Sequence, residues 1–110
     1  MTCLSFIVTG AAITQGSARQ ARGWEVLPGP VSLECEFFFT RPKSHLLKSG
    51  QPRKGAPAYP PLDVDKLVRA TGDALSGVVF EDDRQVVRIE AAKAYADADF
   101  VTVTVRRVEG

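Results

Sequence analysis

The run Leu62-Asp63-Val64-Asp65-Lys66-Leu67-Val68-Arg69-Ala70-Thr71-Gly72-Asp73-Ala74-Leu75-Ser76-Gly77-Val78 is where the apolar spacing changes from two to three or four. Val64, Leu67, Val68, Thr71, Leu75 and Val78 fall on one stripe of a helix, the pattern of a surface helix packed on a core. Pro60 and Pro61 discourage an earlier start, Asp63 suits the N-cap, and Gly77 suits the stop. A helix over about residues 63–76 is therefore predicted. Gly72 weakens its middle by roughly 1 kcal/mol. Asp65, Arg69 and Asp73 follow one another four residues apart along an outer line.

Outward from this helix the chain alternates. Residues 31–40, Val-Ser-Leu-Glu-Cys-Glu-Phe-Phe-Phe-Thr, put Val31, Leu33, Cys35, Phe37 and Phe39 on one side of a strand and Ser32, Glu34, Glu36 and Thr40 on the other. Residues 2–9 read as another strand, with Leu4, Phe6 and Val8 on one face. After the helix, residues 84–95 and 100–108 read as two strands joined at Ala96-Asp97-Ala98-Asp99, which predicts a hairpin. The order strand, loop, strand, loop, helix, strand, strand defines an α+β class. A small, largely antiparallel mixed sheet would pack against one main helix in a single domain of 110 residues.

Composition narrows the classes. An apolar fraction of 45% and a charged fraction of 25% are ordinary for a globular domain. No apolar run approaches the roughly 18 residues that span a bilayer, and the N-terminus lacks the features of a signal peptide. A cytoplasmic protein with no membrane partner is expected. Cys3 and Cys35 fall on strands and read as buried thiols, and one histidine without a CxxC pair argues against zinc.

The net charge of +1 conceals an asymmetry. Residues 1–62 carry seven Lys/Arg against three Asp/Glu, and residues 63–110 carry seven against ten. A basic half beside an acidic half suits a protein that holds a polyanion with one region and cations with the other. Residues 41–61 are the core of the basic half: Arg41, Lys43, His45, Lys48, Arg53 and Lys54 stand among glycines and prolines with no acid. Such a stretch reads as a long exposed loop that meets a DNA backbone, where each Lys or Arg displaces counterions from phosphate. Residues 11–29 read as loop and add Arg19 and Arg22 as candidate phosphate contacts.

The acidic half gathers at the two ends of the predicted helix. Asp63 and Asp65 open it, and Glu81-Asp82-Asp83 follow it. Each has an ordinary reading: a cap, a first-turn acid favoured by the helix dipole, a solvated turn. Taken together, Asp63, Asp65 and Asp83, with Asp82 in support, offer the oxygen ligands that Mg²⁺ takes, with Mn²⁺ as the alternative ion. A carboxylate-held cation activates water and neutralises an attacked phosphate. Lys66 or Arg69 would stabilise the charge that develops there.

These residues also resemble a known family. Asp63-Val-Asp65-Lys66-Leu67-Val-Arg69, then Asp73-Ala74-Leu75, then Asp82-Asp83-Arg84-Gln85-Val86, is similar to the pattern D-x-D-N-x-x-K, D-A-L, D-D-x-Q-V of the RusA Holliday-junction resolvases of phages and prophages. Val8-Thr-Gly10-Ala-Ala-Ile-Thr-Gln15-Gly16-Ser17 and Arg41-Pro42-Lys43-Ser44-His45 look like members of it as well. The resemblance implies a homodimeric, Mg²⁺-dependent endodeoxyribonuclease that resolves four-way junctions, with Asp63, Asp65 and Asp83 matching its metal-binding aspartates. Lys66 stands where the family has asparagine, and Arg69 where it has the catalytic lysine. A helix is usual in the family between the first two strands, where residues 11–29 read as loop. The alternative is a branched-DNA-binding relative without efficient cleavage; a third reading is an assembly protein whose carboxylates only cap and solubilise.

Overall fold

The computed structural model describes residues 3–10 and 26–108. The loop expected over 11–29 therefore falls mostly outside the described residues, as do Arg19 and Arg22.

Four strands form one sheet: β1 (Cys3–Thr9), β2 (Val31–Thr40), β3 (Val86–Ala96) and β4 (Phe100–Arg107). One α-helix, α1 (Val64–Leu75), lies between β2 and β3 in sequence. The fold is α+β, as the periodicities require, and β2 has the span that its strict alternation predicts. The strand expected over 84–95 starts at Val86, because Asp83–Gln85 form a 3-10 turn.

The sheet order is β1-β4-β2-β3, with β4 antiparallel to both β1 and β2, and β3 parallel to β2. The expected β3–β4 hairpin does not form, since β2 lies between them. The reason is burial. Val101, Val103 and Val105 of β4 are at most 1% exposed, which a strand attains most readily when paired on both sides. Val87 and Ile89 of β3 are over half exposed, as befits an edge. The short Asp97–Asp99 connection therefore passes the end of β2, where the Thr40 amide donates to Asp99 Oδ1 at 2.7 Å. The Gly10 amide donates to the Asp99 carbonyl at 2.8 Å, fixing the end of β1 to the same turn.

Register lines up the rows of the core face. Leu4, Val105, Leu33 and Ile89 form one row; Phe6, Val103, Cys35 and Ala91 the next; Val8, Val101, Phe37 and Lys93 the third. Thr71, Ala74 and Leu75 of α1, with Val78, Val79 and Phe80 after it, are buried against this face. Each fully buried Leu, Phe or Val stabilises the fold by about 1.5–3 kcal/mol. The stripe read from sequence is real but graded: Val64, Leu67 and Val68 are half-buried, Thr71, Leu75 and Val78 buried. The Thr71 hydroxyl is satisfied by donating to the Leu67 carbonyl at 2.9 Å. Past the helix, Gly77 adopts a φ of +80°, a conformation for which glycine is suited. Its amide reaches the Phe80 carbonyl at 2.6 Å, and the Leu27 amide reaches the Val79 carbonyl at 2.7 Å, so the buried 78–80 segment is clipped in place.

The basic stretch after β2 is more ordered than its prolines suggest. Lys43–His45 form a 3-10 turn. The Leu47 amide donates to the Gln51 carbonyl at 2.8 Å and the Arg53 amide to the His45 carbonyl at 2.8 Å. The stretch therefore folds back on itself, turning at Gly50 with a φ of +87°.

Candidate active site and nucleic-acid interface

Asp63 occupies the N-cap position of α1, and its carbonyl accepts from the Leu67 amide at 3.2 Å. Its carboxylate caps nothing. Oδ2 instead lies 3.5 Å from Lys66 Nζ, with both side chains exposed. An aspartate at the cap usually accepts from the second or third helical amide and so stabilises the helix by about 1 kcal/mol; here the carboxylate is left to other work. Asp65 is exposed in the first turn, and Arg69 is exposed one turn further on. Among the described residues, no ion pair engages Asp65 or Arg69.

A cation that sequence reasoning missed joins this end of the helix. Lys93 Nζ donates to the Leu62 carbonyl at 2.6 Å, the carbonyl immediately before Asp63. Lys93 sits in the third row of the core face, opposite Phe37, where the alternation of β3 calls for an apolar side chain. That mismatch, a lone lysine in Ala91-Ala92-Lys93-Ala94-Tyr95-Ala96, is the signal that points to it.

Asp82 and Asp83 lie in the turn before β3. Asp82 Oδ1 accepts from the Arg84 amide at 2.8 Å, and Oδ2 lies 3.2 Å from Arg84 Nη2. These bonds, the backbone one foremost, hold the Asp82 carboxyl below its ordinary pKa. Gln85 locks the turn from the other side. Its Oε1 accepts from the Glu81 and Asp82 amides at 2.8 and 3.0 Å, and its Nε2 donates to the Leu27 and Gly29 carbonyls at 3.1 and 2.7 Å. The amide side chain thus spends its full hydrogen-bonding capacity on fixing the Asp82-Asp83 turn to the segment before β2. Asp83, the first residue of the turn, is exposed.

Within one chain the three aspartates do not meet. Lys93 ties the beginning of α1 to the far part of β3, whereas Asp83 precedes the beginning of that strand. From Val86 to Lys93 an extended strand carries the chain about 23 Å, and α1 itself is about 18 Å long. Asp63 and Asp65 therefore stand at one end of the helix and Asp83 at the other. Among the described residues, no three His, Cys, Asp or Glu side chains close into a metal-holding group. The donor chemistry nonetheless suits a hard divalent cation, because Asp63, Asp65 and Asp83 are exposed carboxylates and Asp63 is not consumed by capping.

The basic residues divide into anchored and free. Arg41 places its guanidinium 4.2 Å over the Tyr95 ring and donates from Nη1 to the Pro57 carbonyl at 2.7 Å. His45 meets the same ring edge-on, with centroids 5.9 Å apart. Lys43, Lys48, Arg53 and Lys54 are exposed on the basic stretch, and Leu47 and Tyr59 are exposed apolar side chains of the same stretch. An exposed set of cations with interspersed apolar groups is suited to a phosphate backbone. Cys3 and Cys35 are free thiols, and burial pushes the Cys35 thiol up to about 11. No helix among the described residues is long and apolar enough to cross a membrane.

An α+β domain with a carboxylate-bearing helix end, a locked acidic turn and a cationic loop has the parts of a phosphodiester-processing protein. The chain belongs to the RusA family of endodeoxyribonucleases, whose model matches residues 11–106. It is also similar to YqaN of Bacillus subtilis (strain 168), an uncharacterized protein, at 28% identity in an alignment of 141 positions, gaps included, that covers 98% of this chain and 99% of the other.

Proposed function

We propose that the protein is a metal-dependent, structure-selective endodeoxyribonuclease that resolves four-way and other branched DNA junctions by phosphodiester hydrolysis. Membership of an endodeoxyribonuclease family supports the reaction class. The observation that carries the assignment of the site is the Asp63 carboxylate, held at a cap position without capping, beside Asp65 and the Lys93 ammonium. A side chain that breaks the local rule for its position is expected where function outweighs local stability.

Asp63, Asp65 and Asp83 would hold Mg²⁺, or Mn²⁺ in its place. The bound ion supplies a nucleophile from water and charge neutralisation at the phosphate. The Lys66 ammonium, 3.5 Å from Asp63 in the free protein, and the Arg69 guanidinium steady the non-bridging phosphate oxygens. Arg69 keeps its proton throughout, so it acts as a fixed charge and not as an acid or base. Asp82 acts at one remove by shaping the turn that presents Asp83. Arg41, Lys43, His45, Lys48, Arg53 and Lys54, with Arg19 and Arg22 from the N-terminal part, track the backbone and give affinity without sequence preference.

The active species is a homodimer, whose two-fold symmetry matches that of a junction. It also answers the separation of the aspartates, because a second copy can bring its Asp83 turn to the Asp63 end of the first.

The test incubates the purified protein with a labelled synthetic four-way junction, with and without Mg²⁺, alongside Asp65→Asn. Paired nicks that require the ion and vanish in the variant are expected, with junction binding retained. Salt-sensitive binding without nicks in either protein identifies a non-catalytic binder instead. No binding at low salt sinks both.

A further inference from the structure

The first half of β3 is a bare sheet edge. Val87, Arg88, Ile89, Glu90 and Ala92 are exposed, and among the described residues β3 pairs with β2 alone. Residues 93–96 are half-buried instead, where Lys93 bonds the Leu62 carbonyl and Tyr95 meets Arg41. Ile89 shares a core-face row with Leu33 and Val105, yet it is 52% exposed where those two are buried. Val87, which a register shift leaves without a partner on β2, is exposed as well. An open row of amides and carbonyls beside exposed β-branched side chains is a template for another strand.

We infer that this edge pairs antiparallel with the same edge of a second copy, on a two-fold axis through Ile89. It is the contact surface of the proposed homodimer and rests on that reading. Charge selects the register. A two-fold antiparallel pair sets one residue opposite its own copy. Centred on Arg88 or Glu90, the pair puts like charges face to face. Centred on Val87 it runs into the Asp83–Gln85 turn, and centred on Ala91 it places Ile89 against Lys93. Centred on Ile89, Arg88 of each copy faces Glu90 of the other, and the two Ile89 side chains cover each other. Within the chain Arg88 Nη2 already lies 3.0 Å from Glu90 Oε1, so the two copies together build a cluster of alternating charge. Opposite charges and apolar side chains set face to face stabilise neighbouring strands. The other edge, β1, has no charged residue to set a register.

In this register Val86 of the second copy stands opposite Ala92, and the Asp82-Asp83 turn just before it arrives beside Lys93. Lys93 holds the Leu62 carbonyl next to Asp63. The pairing thus carries the second copy's Asp83 to the Asp63 end of its neighbour, and by symmetry the reverse. Two four-stranded sheets become one, with both α1 helices on the same side. The charge pairing that fixes the register is independent of the aspartates, yet it gathers them.

Native mass spectrometry and sedimentation read the oligomeric state of the wild-type protein, Arg88→Glu and Glu90→Arg, without DNA or metal. The wild-type protein is expected to be a dimer. Each variant sets like charges opposite one another twice and is expected to raise the dimer Kd roughly tenfold. An equimolar mixture of the two is expected to regain wild-type affinity as heterodimers, since each edge then faces its opposite. Inside each variant chain residues 88 and 90 still repel, so an effect confined to the chain is not rescued by mixing. As a check that needs no charge change, Ile89→Cys in a Cys3→Ser chain is expected to crosslink to its own copy under mild oxidation, being within disulfide reach. Ala92→Cys in the same chain is expected not to. A monomeric wild-type protein, charge variants that dimerise as it does, or equal crosslinking of the two cysteine variants overturns the β3 interface. A monomer that still nicks junctions leaves the nuclease reading standing without the interface. A dimer that behaves as expected but nicks no junction with Mg²⁺ keeps the interface and sinks the nuclease reading.

Discussion

At the residue scale the informative side chains are those that depart from what their position asks. Asp63 declines to cap, and Lys93 takes a core-face row of an otherwise small and apolar strand segment. The sequence marks Lys93 as out of place but not its partner, because the Leu62 carbonyl lies 31 positions away in sequence. On the proposed function, this bond would make Lys93 a positioning residue for Asp63 and place positive charge near the phosphate attacked there. Lys93→Met is expected to lower kcat by about a hundred- to a thousandfold, the range of losing one electrostatic stabiliser, with little change in junction affinity. Lys93→Arg should recover part of the loss, which a purely structural role at a crowded position would not allow. Single-turnover cleavage at saturating protein separates these outcomes. Cys35 offers a test of the core itself. Its thiol is buried and its pKa raised from 9.0 to about 11, so between those values the folded protein binds more protons than the unfolded chain. Stability contributed by the neutral thiol is complete below pH 9 and declines as pH rises toward 11. Urea denaturation at stepped pH should show that decline for the wild-type protein and a flatter profile for Cys35→Ala. At pH 8 a thiol reagent should reach Cys35 only when the protein unfolds.

At the scale of elements, the parts governed by local periodicity were legible and the parts governed by pairing were not. β2 could be read to the residue because five alternate positions are apolar, and α1 to within a residue at each end because its stripe spans three turns. The β3–β4 order could not, because a short polar turn between two strands is the ordinary mark of a hairpin, and only the burial of Val101, Val103 and Val105 puts β4 inside the sheet. The candidate aspartates were legible through family pattern; the lock formed by Gln85 was hidden, because two of its four bonds go to Leu27 and Gly29 carbonyls far away in sequence. The basic loop was legible as charge but not as structure. Lys48, Arg53 and Lys54 are all exposed along its folded-back stretch, and their joint contribution is measurable. Replacing all three with alanine should weaken junction binding and flatten the plot of log affinity against log salt by up to about 0.9 for each phosphate no longer neutralised. Arg41→Ala should do more than shed one charge, since the guanidinium also covers Tyr95. A triple variant with an unchanged salt slope would remove this loop from the interface.

At the scale of the whole molecule, the separation of the acidic groups makes the assembly of the proposed site testable. A single chain sets Asp63 and Asp65 at one end of α1 and Asp83 at the other, so on the proposed function a site that uses all three either draws Asp83 from a second copy or moves the Asp83 turn. The first differs in a testable way from a dimer of self-sufficient sites. Asp65→Asn and Asp83→Asn, each prepared alone, should be inactive in both arrangements. Mixed and allowed to exchange subunits, they diverge. If Asp83 comes from the partner, a mixed dimer carries both substitutions in one site and none in the other, and nicking returns at one strand of the junction. If each site is built from one chain, both sites of every mixed dimer carry a substitution and nothing returns. Restored nicking near half the wild-type level per mixed dimer, confined to one strand in each junction, is the expected result. Absence of restoration, with subunit exchange verified by labelled chains, assigns the three aspartates to one chain and requires the Asp83 turn to move toward the start of α1 when DNA and metal bind. The single-strand outcome also fixes how resolution proceeds, since symmetric cleavage then depends on two sites that each need both copies.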